Sequence, residues 1–123
     1  MNHYISEFNG PIIIIGFGSI GSGVLPLLDR HFPLVPKDNI FVIDPDDTNS
    51  YIANKYGATF RKEAVTKENY RSILGNILNA FNKRAYIINV ANEVSSYDLA
   101  QFATDNNAHY IDTVVEPWPG FYF

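Results

Sequence analysis

The 123-residue sequence contains no cysteine, which excludes disulfides, thiolate metal sites and a cysteine nucleophile within it. It has no apolar run near the roughly 18 residues of a membrane span, and its start has no signal-peptide pattern. Nine basic and thirteen acidic residues give a net charge of −4, which offers no basis for binding nucleic acid or anionic membrane. We therefore expect a cytoplasmic protein with neither kind of partner.

Histidine is also scarce. His3, His31 and His109 are scattered, without an i, i+4 pair or a neighbouring acid, so we expect no metal site. The composition is otherwise that of a globular protein, with 46% hydrophobic and 18% charged residues. This length and composition suit one domain with a packed core.

A glycine-rich turn follows the most apolar stretch of the chain. Ile12–Ile15 are four β-branched residues in a row, which indicates a strand buried on both faces of a parallel sheet. The turn then allows a tight bend at Gly16, a close approach of pyrophosphate at Gly18 and close helix packing at Gly21. The helix that follows directs its N-terminal N–H groups at phosphate. We expect the whole turn to bind a dinucleotide: Gly16, Phe17, Gly18, Ser19, Ile20 and Gly21.

An acid follows at the spacing that such a site requires. Asp44 ends the apolar run 40–43 and lies 23 residues after Gly21, where about 20 are expected. Its carboxylate can accept hydrogen bonds from ribose hydroxyls and would repel a 2′-phosphate. Because Asp46 and Asp47 add negative charge without a nearby cation, the sequence favours NAD over NADP. The alternative is that Asp44 only caps the next helix.

Strand and helix patterns alternate along the chain. This order predicts an α/β fold, a Rossmann-type doubly wound parallel sheet with strand order 3-2-1-4-5 and helices on both faces. The predicted strands are Ile12–Ile15, Ile40–Ile43, Ala58–Phe60, Ala85–Val90 and Tyr110–Val114, and the helices are Ser19–His31, Thr48–Tyr56, a periodic segment from Tyr70 to Phe81, and Ser95–Asn106.

Two helices carry further expectations. In the first, Ile20, Val24, Leu27 and Leu28 share a spacing that predicts the buried face. Pro26 lies inside this helix, and we expect a kink or a loosened first turn there because proline removes a backbone hydrogen bond. In the last helix, Ser95 and Asp98 are spaced as a capping box.

Polar residues end the last two strands, where ligands bind in such sheets. Asn89 and Asn92 can reach the nicotinamide-side ribose or the pyrophosphate, or they can hold the strand-to-helix turn. Asp112 and Thr113 can lie near the nicotinamide, or they can form a hydrogen-bonded pair that fixes the next loop.

The final stretch offers a carboxylate and an aromatic ring. Glu116 and Trp118 together suit a cationic amine, through ion pairing and cation–π attraction. The alternative is a solvated glutamate and a tryptophan that packs on another domain. Because four aromatic residues lie within 117–123, we expect residues 1–123 to be the N-terminal domain of a longer protein whose substrate domain is absent.

Three stretches resemble the bacterial homospermidine synthase family, within the saccharopine dehydrogenase-like group. The first is 10–21, the second is 42–45, and the most specific is 110–118, YIDTVVEPW, followed by 120–123. The resemblance covers nearly all of the chain, which would be only the first part of such an enzyme.

The resemblance implies a reaction and a set of roles. Bound NAD oxidises putrescine to an imine, ammonia leaves, a second putrescine (or spermidine) condenses, and the retained NADH reduces the new imine to homospermidine. The implied NAD-binding residues are Gly16, Gly18, Ser19, Ile20, Gly21 and Asp44, the nicotinamide side is lined by Asn89, Asn92, Asp112 and Thr113, and Glu116 faces the diamine. No catalytic residue is assigned, and the full-length protein is expected to be a homodimer.

Two other functions remain open. A saccharopine-type amino-acid dehydrogenase would need cations for substrate carboxylates, and residues 112–118 supply none. A non-enzymatic NAD-sensing domain would use the same fold and would be complete at this length.

Overall fold

The protein is built on a parallel sheet with the order β3-β2-β1-β4-β5, as predicted. The structure is a computed structural model that describes residues 8, 10–31, 35–113 and 117–119. All four neighbouring strand pairs in these residues are parallel. The elements are β1 (Ile12–Ile15), α1 (Ser19–His31), a 3₁₀ helix (Lys37–Asn39), β2 (Ile40–Asp44), α2 (Ser50–Lys55), β3 (Thr59–Lys62), α3 (Tyr70–Asn79), β4 (Tyr86–Asn89), α4 (Ser96–Asp105) and β5 (His109–Asp112).

The core lies on both faces of the central strand β1. Ile12 and Ile14 belong to the cluster that contains residues of α1 and α2. Ile13 and Ile15 belong to the cluster that contains residues of α3 and α4. All four isoleucines are at most 2% exposed. This double burial explains why β1 is an unbroken apolar run rather than an alternating one.

The predicted buried face of α1 is wrong at two of its four positions. Ile20 is 58% and Leu27 is 54% exposed, whereas Leu25 and Leu28 are buried. The close approach of Gly21 to the carbonyl oxygen of Gly16 fixes the rotation of the helix, so that positions 21, 25 and 28 face the sheet. The helix is continuous through the exposed Pro26, and the kink expected there remains a prediction.

Two elements each differ by three residues in all from their predicted boundaries. The helix α2 covers Ser50–Lys55 rather than Thr48–Tyr56. The edge strand β3 covers Thr59–Lys62 rather than Ala58–Phe60, because charged side chains are well tolerated on an edge strand. The strand β5 starts one residue earlier than predicted, and Val114 lies outside the described residues. The cap of α4 is confirmed, since Ser95 Oγ accepts a hydrogen bond from the Asp98 N–H at 3.1 Å.

Gly75 in the interior of α3 offers a test of the helix assignment. An added Cβ there meets nothing within 4 Å. We expect Gly75→Ala to raise the free energy of unfolding by about 1 kcal/mol, because alanine loses less backbone entropy in a helix. Urea unfolding measures the change. The matched control is Gly57→Ala, which should destabilise, because Gly57 has φ +78° and its added Cβ would lie 3.2 Å from Lys37 Cβ. Equal effects of the two substitutions would contradict this difference in backbone conformation.

Candidate functional site

An open cleft lies at the carboxyl ends of the strands, where β1 separates the two halves of the sheet. It has a volume of about 290 Å³. This is the edge at which doubly wound sheets bind their ligands. The described lining residues are Ile15, Gly16, Ile43, Asp44, Pro45, Ala64, Val65, Thr66, Ala91, Asn92, Glu93, Val94 and Pro119.

The three glycines of the turn meet different surroundings. Gly16 has φ +95°, and an added Cβ would lie 2.8 Å from the backbone of Ala91. An added Cβ at Gly21 would lie 2.2 Å from the Gly16 carbonyl oxygen. The protein therefore requires glycine at both positions for its own packing. At Gly18, in contrast, nothing lies within 4 Å of an added Cβ, so this exposed backbone is open to a ligand.

The N-terminus of α1 adds an anion-binding element to the turn. The Ser22 N–H donates to the Gly18 carbonyl at 2.9 Å, which begins the helical ladder. The N–H groups of Ser19, Ile20 and Gly21 come before this first bond. As the first N–H groups of a helix, they have no acceptor within it and point away from its N-terminus. An open glycine beside these donors fits a pyrophosphate.

Asp44 ties the end of β2 to the glycine turn. Its Oδ2 accepts a hydrogen bond from the Phe17 N–H at 2.6 Å, and its Oδ1 accepts one from the Asp46 N–H at 2.7 Å. The Phe17 side chain is buried, and its carbonyl accepts from Asn49 Nδ2 at 3.0 Å. Asn49, rather than Asp44, is the N-cap residue of α2. The alternative role of Asp44 as a helix cap therefore has no support in the geometry.

The charges around Asp44 include a cation that the sequence analysis missed. The hydroxyl and N–H of Thr48 donate to Asp46 Oδ1, and these hydrogen bonds lower the pKa of Asp46. Lys62 lies opposite Asp44 in the β2–β3 register and is 3.5 Å from Asp47. Because the predicted β3 ended at Phe60, Lys62 fell outside the predicted sheet. A predicted strand that reached residue 62 would have placed this lysine beside the end of β2.

The two asparagines after β4 have different positions. Asn92 is exposed and lines the cleft. Asn89 is 2% exposed, and its Oδ1 accepts a hydrogen bond from the Ala91 N–H at 3.2 Å. Its Nδ2 lies 3.2 Å from the Tyr110 hydroxyl and 3.4 Å from the Val94 carbonyl. Of the two alternatives for Asn89, the geometry therefore favours the one that holds the turn.

Asp112 and Thr113 follow at the end of β5. Asp112 pairs with Asn89 in the β4–β5 register and is partly buried, whereas Thr113 is exposed. Burial and a hydrogen bond to Asp112 raise the pKa of Tyr110 to about 12. The structure thus brings Asp112 to the polar group formed by Tyr110 and Asn89, next to the cleft.

Trp118 packs on this chain's own helices. Its Nε1 donates to Asp98 Oδ2 at 2.7 Å, and its ring lies 5.4 Å from that of Tyr70. The neighbouring Pro119 lines the cleft. Glu116 lies outside the described residues, and its role beside Trp118 in binding an amine remains a prediction.

Glu93 is a cleft residue that the sequence analysis did not single out. It is exposed, lines the cleft and has φ +64°, which is uncommon for a residue other than glycine. No residue pattern marks it, because its place depends on the turn after β4. In residues 8, 10–31, 35–113 and 117–119, no group of three or more His, Asp or Glu is arranged to hold a metal. No helix in these ranges has the length and apolarity needed to cross a membrane.

The parallel sheet and the glycine turn between β1 and α1 define a Rossmann-like domain of the dinucleotide-binding class. The family model described as the saccharopine dehydrogenase NADP binding domain matches residues 12–119. The chain belongs to this family.

Curated and solved relatives are more specific. Homospermidine synthases of Blastochloris viridis and Mesorhizobium japonicum are 47% and 43% identical to it over 117 residues, 95% of this chain and 24% of each relative. The crystal structure of homospermidine synthase from Legionella pneumophila in complex with NAD matches with a TM-score of 0.83 and 26% identity, over 93% of this chain and 24% of that chain. The chain thus spans about a quarter of the length of these relatives, and the resemblance seen in the sequence is confirmed.

Proposed function

We propose that this chain is the NAD-binding domain of a homospermidine synthase. The observation that carries the proposal is the junction of the glycine turn and β2: Gly16 and Asp44 line the cleft, Asp44 accepts a hydrogen bond from the Phe17 N–H, and the open Gly18 and the N-terminus of α1 follow in the same turn. Support for the particular enzyme comes from the 43–47% identity to curated homospermidine synthases. A saccharopine-type dehydrogenase and an NAD-sensing domain remain the alternatives that the experiment below separates.

The choice of NAD over NADP is part of the proposal. The family description names NADP. In this chain, however, Asp44 ends β2, where the acid of such a site accepts hydrogen bonds from the ribose, and the Asp46 carboxylate adds a second negative charge two residues later. Lys62, which could attract a 2′-phosphate, already lies 3.5 Å from Asp47. The local charge therefore favours a free ribose hydroxyl.

The proposed reaction joins two putrescines, or putrescine and spermidine, with release of ammonia. An amine carbon of the first putrescine is oxidised to an imine, the second amine adds to that carbon, and ammonia leaves. Reduction of the new carbon–nitrogen double bond then gives homospermidine. NAD, when bound, supplies the two-electron oxidation and the later reduction, so the net reaction needs no external oxidant.

In this proposal, the residues of this chain bind and orient the cofactor and the substrate. The glycine turn and the start of α1 would hold the pyrophosphate, and Asp44 would accept hydrogen bonds from the ribose. The nicotinamide side would be formed by Asn92, Asp112 and Thr113. Glu116 and Glu93 would offer carboxylates to the cationic diamine, with Trp118 beside them. Proton transfer is assigned to none of these side chains.

The proposal predicts a product in excess of the cofactor. The complete protein, incubated with putrescine and substoichiometric NAD, should form homospermidine and ammonia in many-fold excess over the NAD, as measured by mass spectrometry. NADH that accumulates one-for-one with an oxidised amine or amino acid would indicate a dehydrogenase. Binding of NAD without turnover of any amine would favour the sensing domain.

A matched pair of variants connects this activity to the cleft. Gly18→Asp places a negative charge at the open position of the turn, where the expected pyrophosphate would be repelled, and should abolish product formation. Gly23→Asp introduces the same side chain five residues later, where an added Cβ again meets nothing within 4 Å, and should retain activity. Equal loss in both variants would point to a defect in α1 rather than in cofactor binding.

Two further parts of the proposal concern the complete protein. We propose that it is a homodimer, which light scattering after size-exclusion chromatography measures. We also propose a cytoplasmic location, because a sequence without cysteine suits a reducing compartment.

A further inference from the structure

A polar group lies behind the cleft and connects the last two strands. Tyr110 of β5 packs against the cluster that contains residues of α3 and α4. Asn89 at the end of β4 directs its Nδ2 at the Tyr110 hydroxyl, at 3.2 Å. The same asparagine accepts a hydrogen bond from the Ala91 N–H through Oδ1. Asn89 therefore links β5 to the start of the loop between β4 and α4, residues 90–95.

This β4–α4 loop is one wall of the cleft. Ala91, Asn92, Glu93 and Val94 are all lining residues. Ala91 is so close to the glycine turn that a Cβ added at Gly16 would lie 2.8 Å from its backbone N and Cα. A displacement of Ala91 would therefore change both the wall of the cleft and its contact with the turn.

The Tyr110 hydroxyl has three side-chain partners. It accepts hydrogen bonds from Asn89 and from Ser96, the first residue of α4, and donates one to Asp112, the register partner of Asn89. A tyrosine hydroxyl is protonated at neutral pH, and burial and the contact with Asp112 raise the pKa of Tyr110 further, to about 12. The Tyr110 hydroxyl is thus hydrogen-bonded to Asn89 and Asp112, the two side chains at the ends of the neighbouring strands β4 and β5.

We propose that Tyr110 is a positioning residue for cofactor binding: its hydroxyl holds Asn89, and through Asn89 the β4–α4 loop, in the arrangement that receives the nicotinamide half of NAD. This inference rests on the proposed function, and it adds a residue outside the cleft lining to that function. Tyr110 acts through Asn89 and Asp112 rather than by contact with the cofactor.

The test is Tyr110→Phe in the complete protein, with NAD and ADP binding measured by isothermal titration calorimetry. The substitution keeps the ring and leaves the Asn89 amide, which is 2% exposed, without one acceptor. We expect the NAD dissociation constant to rise about tenfold, because an unsatisfied buried donor makes the loop less ordered. ADP would engage the glycine turn and the Asp44 side of the cleft, so its dissociation constant should stay within about twofold of the wild-type value.

The matched control is Tyr86→Phe. Tyr86 lies on β4, packs on the opposite face of the sheet and stacks on His109 with ring centroids 5.2 Å apart. Removal of its hydroxyl should leave the affinity for NAD unchanged. A lower melting temperature of Tyr110→Phe with a wild-type ratio of NAD to ADP affinity would overturn the inference and leave Tyr110 a purely structural role. If the wild-type protein binds neither NAD nor ADP, the proposed function fails, and the inference fails with it.

Discussion

Replacement of Gly21 by alanine is expected to lower the free energy of unfolding by more than about 3 kcal/mol. The added Cβ would lie 2.2 Å from the Gly16 carbonyl oxygen and 2.9 Å from its carbon. Both contacts are with backbone atoms next to the fully buried strand β1, so the movement of a flexible side chain cannot relieve the clash. The helix α1 would have to leave its position against β1, and binding at the turn would be lost with it.

Gly23→Ala is the control for this substitution. It lies two residues later in the same helix, and its added Cβ meets nothing within 4 Å. We expect it to stabilise the protein by up to about 1 kcal/mol through its higher helix propensity. Chemical denaturation of the three proteins measures both changes. A Gly21→Ala variant as stable as Gly23→Ala would show that α1 and the turn are not packed as closely as described.

The fold could be predicted from the sequence because its main signals are local. The isoleucine run of β1, the alternation of elements and the handedness rule together give the strand order without any knowledge of contacts. The buried face of α1 could not be predicted in the same way. Periodicity identifies an apolar stripe, but the contact between Gly21 and Gly16 decides how the helix is rotated, and that contact is tertiary.

In the candidate site, as in the fold, features with a local sequence signal could be predicted and tertiary contacts could not. The turn and Asp44 were predicted from a motif with fixed spacing, and the structure brings them together at the cleft. The hydrogen bond from Asn89 to Tyr110 and that from Trp118 to Asp98 join residues 21 and 20 positions apart. No periodicity or spacing rule pairs such residues, because their approach follows from the packing of β5 and α4 against the rest of the sheet.

The second large effect is expected at Asp44, in the choice between the two dinucleotides. Asp44→Asn should weaken NAD binding by at least about tenfold, since hydrogen bonds to a charged group are each worth about 1.5–3 kcal/mol. It should also raise the affinity for NADP relative to NAD, because the negative charge that repels a 2′-phosphate is removed. Titration of both dinucleotides into wild type and variant measures the ratio.

The asparagine variant is chosen because Asp44 has a structural role that must be separated from the proposed one. Its Oδ2 accepts a hydrogen bond from the N–H of Phe17, a residue that is 2% exposed, and the single side-chain oxygen of asparagine can still accept from that donor, whereas the exposed Asp46 N–H loses its side-chain acceptor. Asp44→Ala removes the acceptor of the Phe17 N–H as well and should lower the free energy of unfolding by a further ~1–3 kcal/mol.

Asp47→Asn is the matched control for charge. It frees Lys62 from its partner at 3.5 Å without touching the turn, so NAD affinity should be kept and NADP affinity should rise only slightly. If Asp44→Asn binds NAD as tightly as wild type and still rejects NADP, the carboxylate serves only to hold Phe17, and the exclusion of the 2′-phosphate must come from the shape of the cleft. If the ratio of NADP affinity to NAD affinity rises much more with Asp44→Asn than with Asp47→Asn, the selectivity resides in the Asp44 carboxylate rather than in the overall charge of this edge of the sheet.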